Sequence, residues 1–284
     1  MGALLRGLCV LAATVLSVIA AVRADAGRPT YQQPSGPIFD ITHFDVIPLN
    51  IGGVDFEQVA YPALFKYRDA SQSDLGFKSF RILNWLEATN HSFIVDVWSS
   101  HEAFEEHLAQ SHSVAFRFAV QNQPPDGICC IGSPIDDRQY SMVASFGTPW
   151  VGNALPSTVG TGGALFVITY VDFLQELLEE GDPDRGPDSL VKYGADSIKA
   201  NPGHLLNFTV LRQIDRPNRF IILEVWDTQS DYSAWQAASV TQEFTAEVTP
   251  LLGSPLDNRL NSLCGETYVD STQPTPPPNG CVPP

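Results

Sequence analysis

A chain that carries one pattern twice must fold two similar units or close one unit from two halves. This sequence carries one pattern twice. "FRILNWLEATNHSFIVDVW" (Phe80–Trp98) aligns without gaps to "FTVLRQIDRPNRFIILEVW" (Phe208–Trp226), an offset of 128 residues. The register continues: Phe104 meets Tyr232 and Ser111 meets Ser239. Upstream, "ITHFD" (Ile41–Asp45) matches "ITYVD" (Ile168–Asp172), and downstream "GSPIDDR" (Gly132–Arg138) matches "GSPLDNR" (Gly253–Arg259) at an offset of 121. The scaffold recurs, but three histidines do not: His101, His107 and His112 meet Gln229, Trp235 and Val240.

Each copy reads as strand, helix, two strands joined at a polar turn ("EATNH", "DRPN"), a second helix and a last strand. A capping box from Ser99 to Glu102 opens the second helix of the first copy, and Asp227 caps its counterpart. The order β-α-β-β-α-β is that of a ferredoxin-like unit. The third strands, "SFIVDVW" and "FIILEVW", are almost wholly apolar, so both their faces are expected to be covered. Helices cover one face and the sheet of the other copy covers the second. The expected fold is α+β, two ferredoxin-like repeats packed sheet to sheet as an intrachain barrel. The expected divisions are an N-terminal arm (27–38), repeat 1 (39–146), a Gly/Pro/Thr-rich linker (147–163), repeat 2 (164–269) and a Pro-rich tail (270–284).

Residues 1–26 join one Arg to an apolar run and a small-x-small site, Ala24-Asp25-Ala26. They read as a secretory signal peptide, with an uncleaved anchor as the alternative. Export makes the four later cysteines candidates for two disulfides, Cys129 and Cys130 each reaching Cys264 or Cys281, with free buried thiols as the alternative. A formal charge of −16 repels phosphate backbones and anionic membrane surfaces, so nucleic acid and membrane are not expected partners. Asn90 and Asn207 head glycosylation sequons. Lipase elbows, P-loops, HExxH and paired CxxC motifs are absent from the sequence, and no ligand set shows metal spacing.

"THFDVIP", "FRIL", "VWSSHEAFEEHLAQSH" and "GSPIDDRQY" resemble the antibiotic biosynthesis monooxygenase (ABM) domain. The likeness covers about Phe39–Val143 well and Ala164–Val269 more loosely. It implies a dimeric α+β barrel, closed here within one polypeptide as a monomeric pseudo-dimer. Members of that family include cofactor-free oxygenases that turn phenols or hydroquinones into quinones, and others that degrade heme. The heme-degrading pattern of Asn, Trp and His falls on His43, Trp98 and roughly Phe118 or Ala119, and only the Trp is kept.

On the helix after Trp98, Phe104, His107, Leu108 and Ser111 share one face. His107 is therefore expected to be buried, neutral and able to accept a proton. His43 on the first strand is the candidate assistant. Trp98, Phe104, Trp85 and His112 are the candidate pocket residues. The signal segment implies a secreted or periplasmic protein, and the resemblance implies a monooxygenase for a phenol or hydroquinone, with molecular oxygen as co-substrate and no bound cofactor or metal. The rival readings are a non-catalytic exported protein binding a small apolar ligand, and a structural domain with filled cores.

Overall fold

The computed structural model describes residues 36–45, 56–88, 90–121, 135–150, 164–174 and 185–268. The signal segment, the tail and Cys129, Cys130 and Cys281 lie outside these residues. Repeat 1 comprises β1 (Ile38–Asp45), α1 (Phe56–Ser71), β2 (Phe77–Trp85), β3 (His91–Trp98), α2 (His101–Leu108), α3 (Ser111–Gln121) and β4 (Asp136–Gly147). Repeat 2 comprises β5 (Leu165–Asp172), α4 (Arg185–Ala200), β6 (Leu205–Gln213), β7 (Arg219–Trp226), α5 (Gln229–Gln236), α6 (Ser239–Val248) and β8 (Asp257–Tyr268). Where each copy was expected to carry one second helix, two shorter helices stand. The caps also sit one residue later than expected. Ser100 accepts from the Ala103 amide (3.2 Å) and Thr228 from the Asp231 amide (3.1 Å). Ser99 is held elsewhere: its amide donates to the Gly76 carbonyl at 2.8 Å.

The eight antiparallel strands close in the order β1-β3-β2-β8-β5-β7-β6-β4, with β4 returning to β1. Each repeat contributes a four-stranded sheet in ferredoxin-like order. The repeats meet through strand pairing at two edges, β2 with β8 and β4 with β6. Closure leaves no sheet edge open.

Strand alternation divides the side chains between two layers. Phe39, Ile41, Phe93, Val95 and Val97 point inward and meet Phe166, Ile168, Ile221, Leu223 and Val225 from the other repeat. On the outer face of repeat 1, Ile82, Ile94 and Trp98 pack under Leu64, Tyr67 and Phe104. Repeat 2 does the same with Val167, Ile222 and Trp226 under Leu190, Tyr193 and Trp235. Trp150, within the expected linker, is buried in the barrel interior, and the Arg81 guanidinium lies 4.8 Å from its ring centre. Arg81 is itself buried and pairs with Glu266 at 3.3 Å. Cys264 on β8 is buried and disulfide-bonded. The Asn207 sequon is closed in the folded chain, because Asn207 is buried in β6 and donates to the Thr148 carbonyl at 2.7 Å. Among the described residues no helix is long and apolar enough to cross a membrane.

Candidate active site

The outer face of the repeat 1 sheet carries a run of polar groups under the helices. Tyr67 on α1 stacks on Phe116 of α3 at 4.3 Å with the rings nearly parallel. Its hydroxyl lies 2.6 Å from Nε2 of His107. Nδ1 of His107 lies 2.6 Å from Oδ2 of Asp74, and His112 Nε2 reaches the same oxygen at 2.9 Å. A carboxylate on Nδ1 holds the ring proton there, so Nε2 accepts the Tyr67 hydroxyl proton. The imidazole is 1% exposed and stacks on Trp98 at 4.2 Å. Burial drives its pKa down to about 4 against the pull of Asp74, so it is neutral at pH 7 as the sequence predicts.

Beside this relay lies a cleft lined by Asp40, Thr42, Tyr67, Ile94, Asp96, Phe116, Arg117 and Ile135. Its volume is about 20 Å³, room for roughly one water. Asp40 on β1 and Asp96 on β3 are register partners across the strand pair, and both are buried. Thr42 donates to Asp40 at 3.0 Å and the Trp98 indole donates to Asp96 Oδ2 at 2.8 Å. Oδ1 of each carboxyl is buried without a hydrogen-bond partner. Burial, then the charges of Asp96 and Asp137, push Asp40 well above the usual carboxylate range. Burial likewise lifts Asp96 to about 7, against the Trp98 hydrogen bond. Asp137 goes the other way: burial opposes its charge, but hydrogen bonds from Asp40 and Arg117 hold its pKa below the ordinary value. The cluster therefore sets two carboxyls raised by burial, Asp40 and Asp96, beside Asp137, which Arg117 holds on its ionised side.

Repeat 2 keeps the frame and changes the chemistry. Tyr193 stacks on Phe244 at 3.9 Å, as Tyr67 does on Phe116. Its hydroxyl accepts from the Trp235 indole at 2.9 Å, whereas Tyr67 faces an imidazole acceptor. Val167, Thr245 and Asn258 stand where repeat 1 has Asp40, Arg117 and Asp137. Of the acids only Glu224 remains, at the place of Asp96, and burial raises it to about 7.

Of the residues predicted from sequence, His107, Trp98, Phe104 and His112 come together on the outer face, though none of them lines the cleft. His43 and Trp85 lie elsewhere. His43 stacks on the inward-pointing Phe93 at 4.7 Å, and Trp85 packs against the barrel-interior cluster. Strand alternation places both on the opposite face of the sheet from His107, so His43 cannot assist it. Sequence reasoning missed Asp40, Tyr67, Asp96 and Arg117. A signal existed for the acids: an Asp inside each of two apolar strands, "FDITHF" and "SFIVDVW".

The family model described as antibiotic biosynthesis monooxygenase matches residues 187–247. Over that stretch the chain resembles an ABM domain. The match lies in repeat 2, the copy with the looser motifs, and repeat 1 builds the same ferredoxin-like unit. A "putative monooxygenase" from Fusobacterium nucleatum aligns with 85% of this chain and 98% of its own, at 12% identity and a TM-score of 0.64. An anthrone oxidase-like protein aligns over 84% and 95%, at 13% identity and TM-score 0.59. A "putative monooxygenase" from Lactobacillus acidophilus aligns over 82% and 97%, at 14% identity and TM-score 0.56. At these identities the likeness is one of fold. No curated protein matches the sequence.

Proposed function

We propose that this protein is an exported, cofactor-independent monooxygenase that oxidises an electron-rich phenol, hydroquinone or anthrone-type aromatic in the repeat 1 cleft. The observation that carries the reading is Asp96: a buried carboxyl facing the cleft, with one oxygen unpartnered and a pKa near 7. A general base works best when its pKa lies near the working pH. Asp96 takes the substrate proton. Tyr67, its own proton directed to His107, accepts a hydrogen bond from a substrate hydroxyl and orients the ring. His107 and Asp74 act through Tyr67 as positioning residues.

The phenolate then transfers an electron to oxygen. Radical recombination at a ring carbon forms a hydroperoxide, and loss of water with the ring C–H leaves a carbonyl. A phenol plus O2 gives a quinone plus H2O: the four electrons that reduce oxygen come from the substrate, and one oxygen atom enters each product. At about 20 Å³ the cleft is too small for an aromatic ring, so substrate entry requires α3 to swing Phe116 and Arg117 aside.

Oxygen uptake with a panel of hydroquinones and anthrones tests the reading. Asp96→Asn should lower kcat/KM by about 10²–10⁴, and Glu224→Gln should leave it nearly unchanged. For the wild type, kcat/KM should rise with pH to about 7 and then level, as Asp96 ionises. A break near 4 with a loss in His107→Gln as large as in Asp96→Asn would make His107 the base. Stoichiometric binding of these aromatics without oxygen uptake would replace catalysis with ligand carriage.

A further inference from the structure

The inner rim of the barrel holds a second cluster that the proposed reaction does not use. His43 and Asp45 on β1 and His91 on β3 converge there, with Asp45 and His91 register partners. His43 Nε2 lies 3.2 Å from His91 Nδ1 and 3.3 Å from Asp45 Oδ1, and that oxygen also contacts His91 Nδ1. These three ligand atoms belong to three residues from two rigid strands. Both rings are fixed from behind. His43 stacks on Phe93 at 4.7 Å, and Trp85 meets His91 edge-on at 5.3 Å. His43 also lines a polar cavity of about 280 Å³ at the barrel mouth, with Tyr170, Arg138 and Arg259.

We propose that His43, Asp45 and His91 bind one divalent first-row transition-metal ion, with its remaining positions open to this cavity. Donor atoms about 2.1 Å from an ion lie about 3.0 Å apart at octahedral angles and about 3.4 Å apart at tetrahedral ones, and the two spacings above fall between these. Two imidazoles and one carboxylate suit zinc, iron(II) or cobalt(II) rather than calcium or magnesium. The other repeat supplies an independent argument. At matched positions it keeps the carboxylate as Asp172, and His91 becomes Arg219, whose Nε lies 2.9 Å from Asp172. Repeat 2 thus carries a fixed cation where repeat 1 presents two imidazole nitrogens to a carboxylate.

Among the described residues, two further clusters contain His and acid. Asp74, His107 and His112 are closed against the helices, and both nitrogens of His107 already have partners there. The cluster of His204, Asp227 and Asp231 rests on an exposed histidine. Neither opens onto this cavity.

The test is titration of the full, chelator-stripped chain with cobalt(II) chloride, followed by calorimetry and visible absorption. One ion per chain with a d–d spectrum is expected. His43→Gln, Asp45→Asn and His91→Gln should each weaken binding at least roughly tenfold, with unchanged circular dichroism. His112→Gln, His204→Gln and Asp96→Asn should bind as the wild type does. The last variant separates this proposal from the oxygenase reading, because it disables one site and spares the other. No binding at about 0.1 mM cobalt, binding unchanged by His43→Gln and His91→Gln, or binding lost only in His112→Gln would overturn the assignment.

Discussion

Tyr67 and Tyr193 hold the same place in the two repeats and opposite ends of a hydrogen bond. Tyr67 gives its proton to an imidazole; Tyr193 receives one from an indole. That exchange, with Val167 for Asp40 and Asn258 for Asp137, leaves one outer face with a cluster of buried acids and an imidazole and the other with aromatic packing. Glu224 survives the change without the surrounding charges, so its cost can be measured alone. Its folded pKa is raised to about 7 by burial, so the folded state holds its proton more tightly than the unfolded chain. The stabilisation this gives is complete below about 4.5 and fades as pH rises through about 7. Urea denaturation from pH 5 to 8 should show the wild type losing stability as pH rises. Glu224→Gln should lose less, the gap growing by about 1–3 kcal/mol at pH 8. Parallel curves for the two proteins would show that Glu224 ionises as freely in the fold as outside it.

The matched helices α1 and α4 differ in how closely they approach the sheet. Position 194 is glycine, and a Cβ there would come within 2.4 Å of Phe208 and 3.0 Å of Phe146. In α1 the equivalent residue is Arg68, buried against Gly265 of β8, where a Cβ would lie 2.6 Å from the guanidinium. The small residue thus sits on the helix in one repeat and on a strand in the other. Gly194→Ala gains about 1 kcal/mol of helix propensity and forces an overpacked core, which costs about 1–3 kcal/mol. The expected result is a net loss of stability, read from the urea midpoint; a gain would mean that α4 can lift from Phe208 at little cost. The helix positions of both repeats follow from the apolar spacing. The cap shift from Ser99 to Ser100 does not, because Ser99 is tied to a turn at Gly76 that only the folded chain brings beside it.

For the whole molecule, closure through two interrepeat strand pairings means that neither repeat is complete alone. Residues 39–146 expressed alone would expose the unpaired edges of β2 and β4 and an inner face of Phe39, Ile41, Phe93 and Val95. Light scattering should find this piece dimeric or aggregated, and the full chain monomeric; a stable, soluble monomer of the piece would contradict the closure. The barrel itself was legible because repeats and strand alternation are local patterns that any folded form must satisfy. His107 was legible for the same reason, since helix spacing alone places it on the buried face. Which groups share a site was not legible. Asp40 meets Asp96, Tyr67 meets His107 and His43 meets His91 over sequence separations that carry no periodic signal, and a one-residue change in strand parity sends a side chain to the opposite face. The sequence determined the layers, the repeat symmetry and the buried neutral histidine. The tertiary structure alone decided that His43 belongs to the barrel rim and that two aspartates face the helices, because burial and strand pairing set those contacts and the charges that go with them.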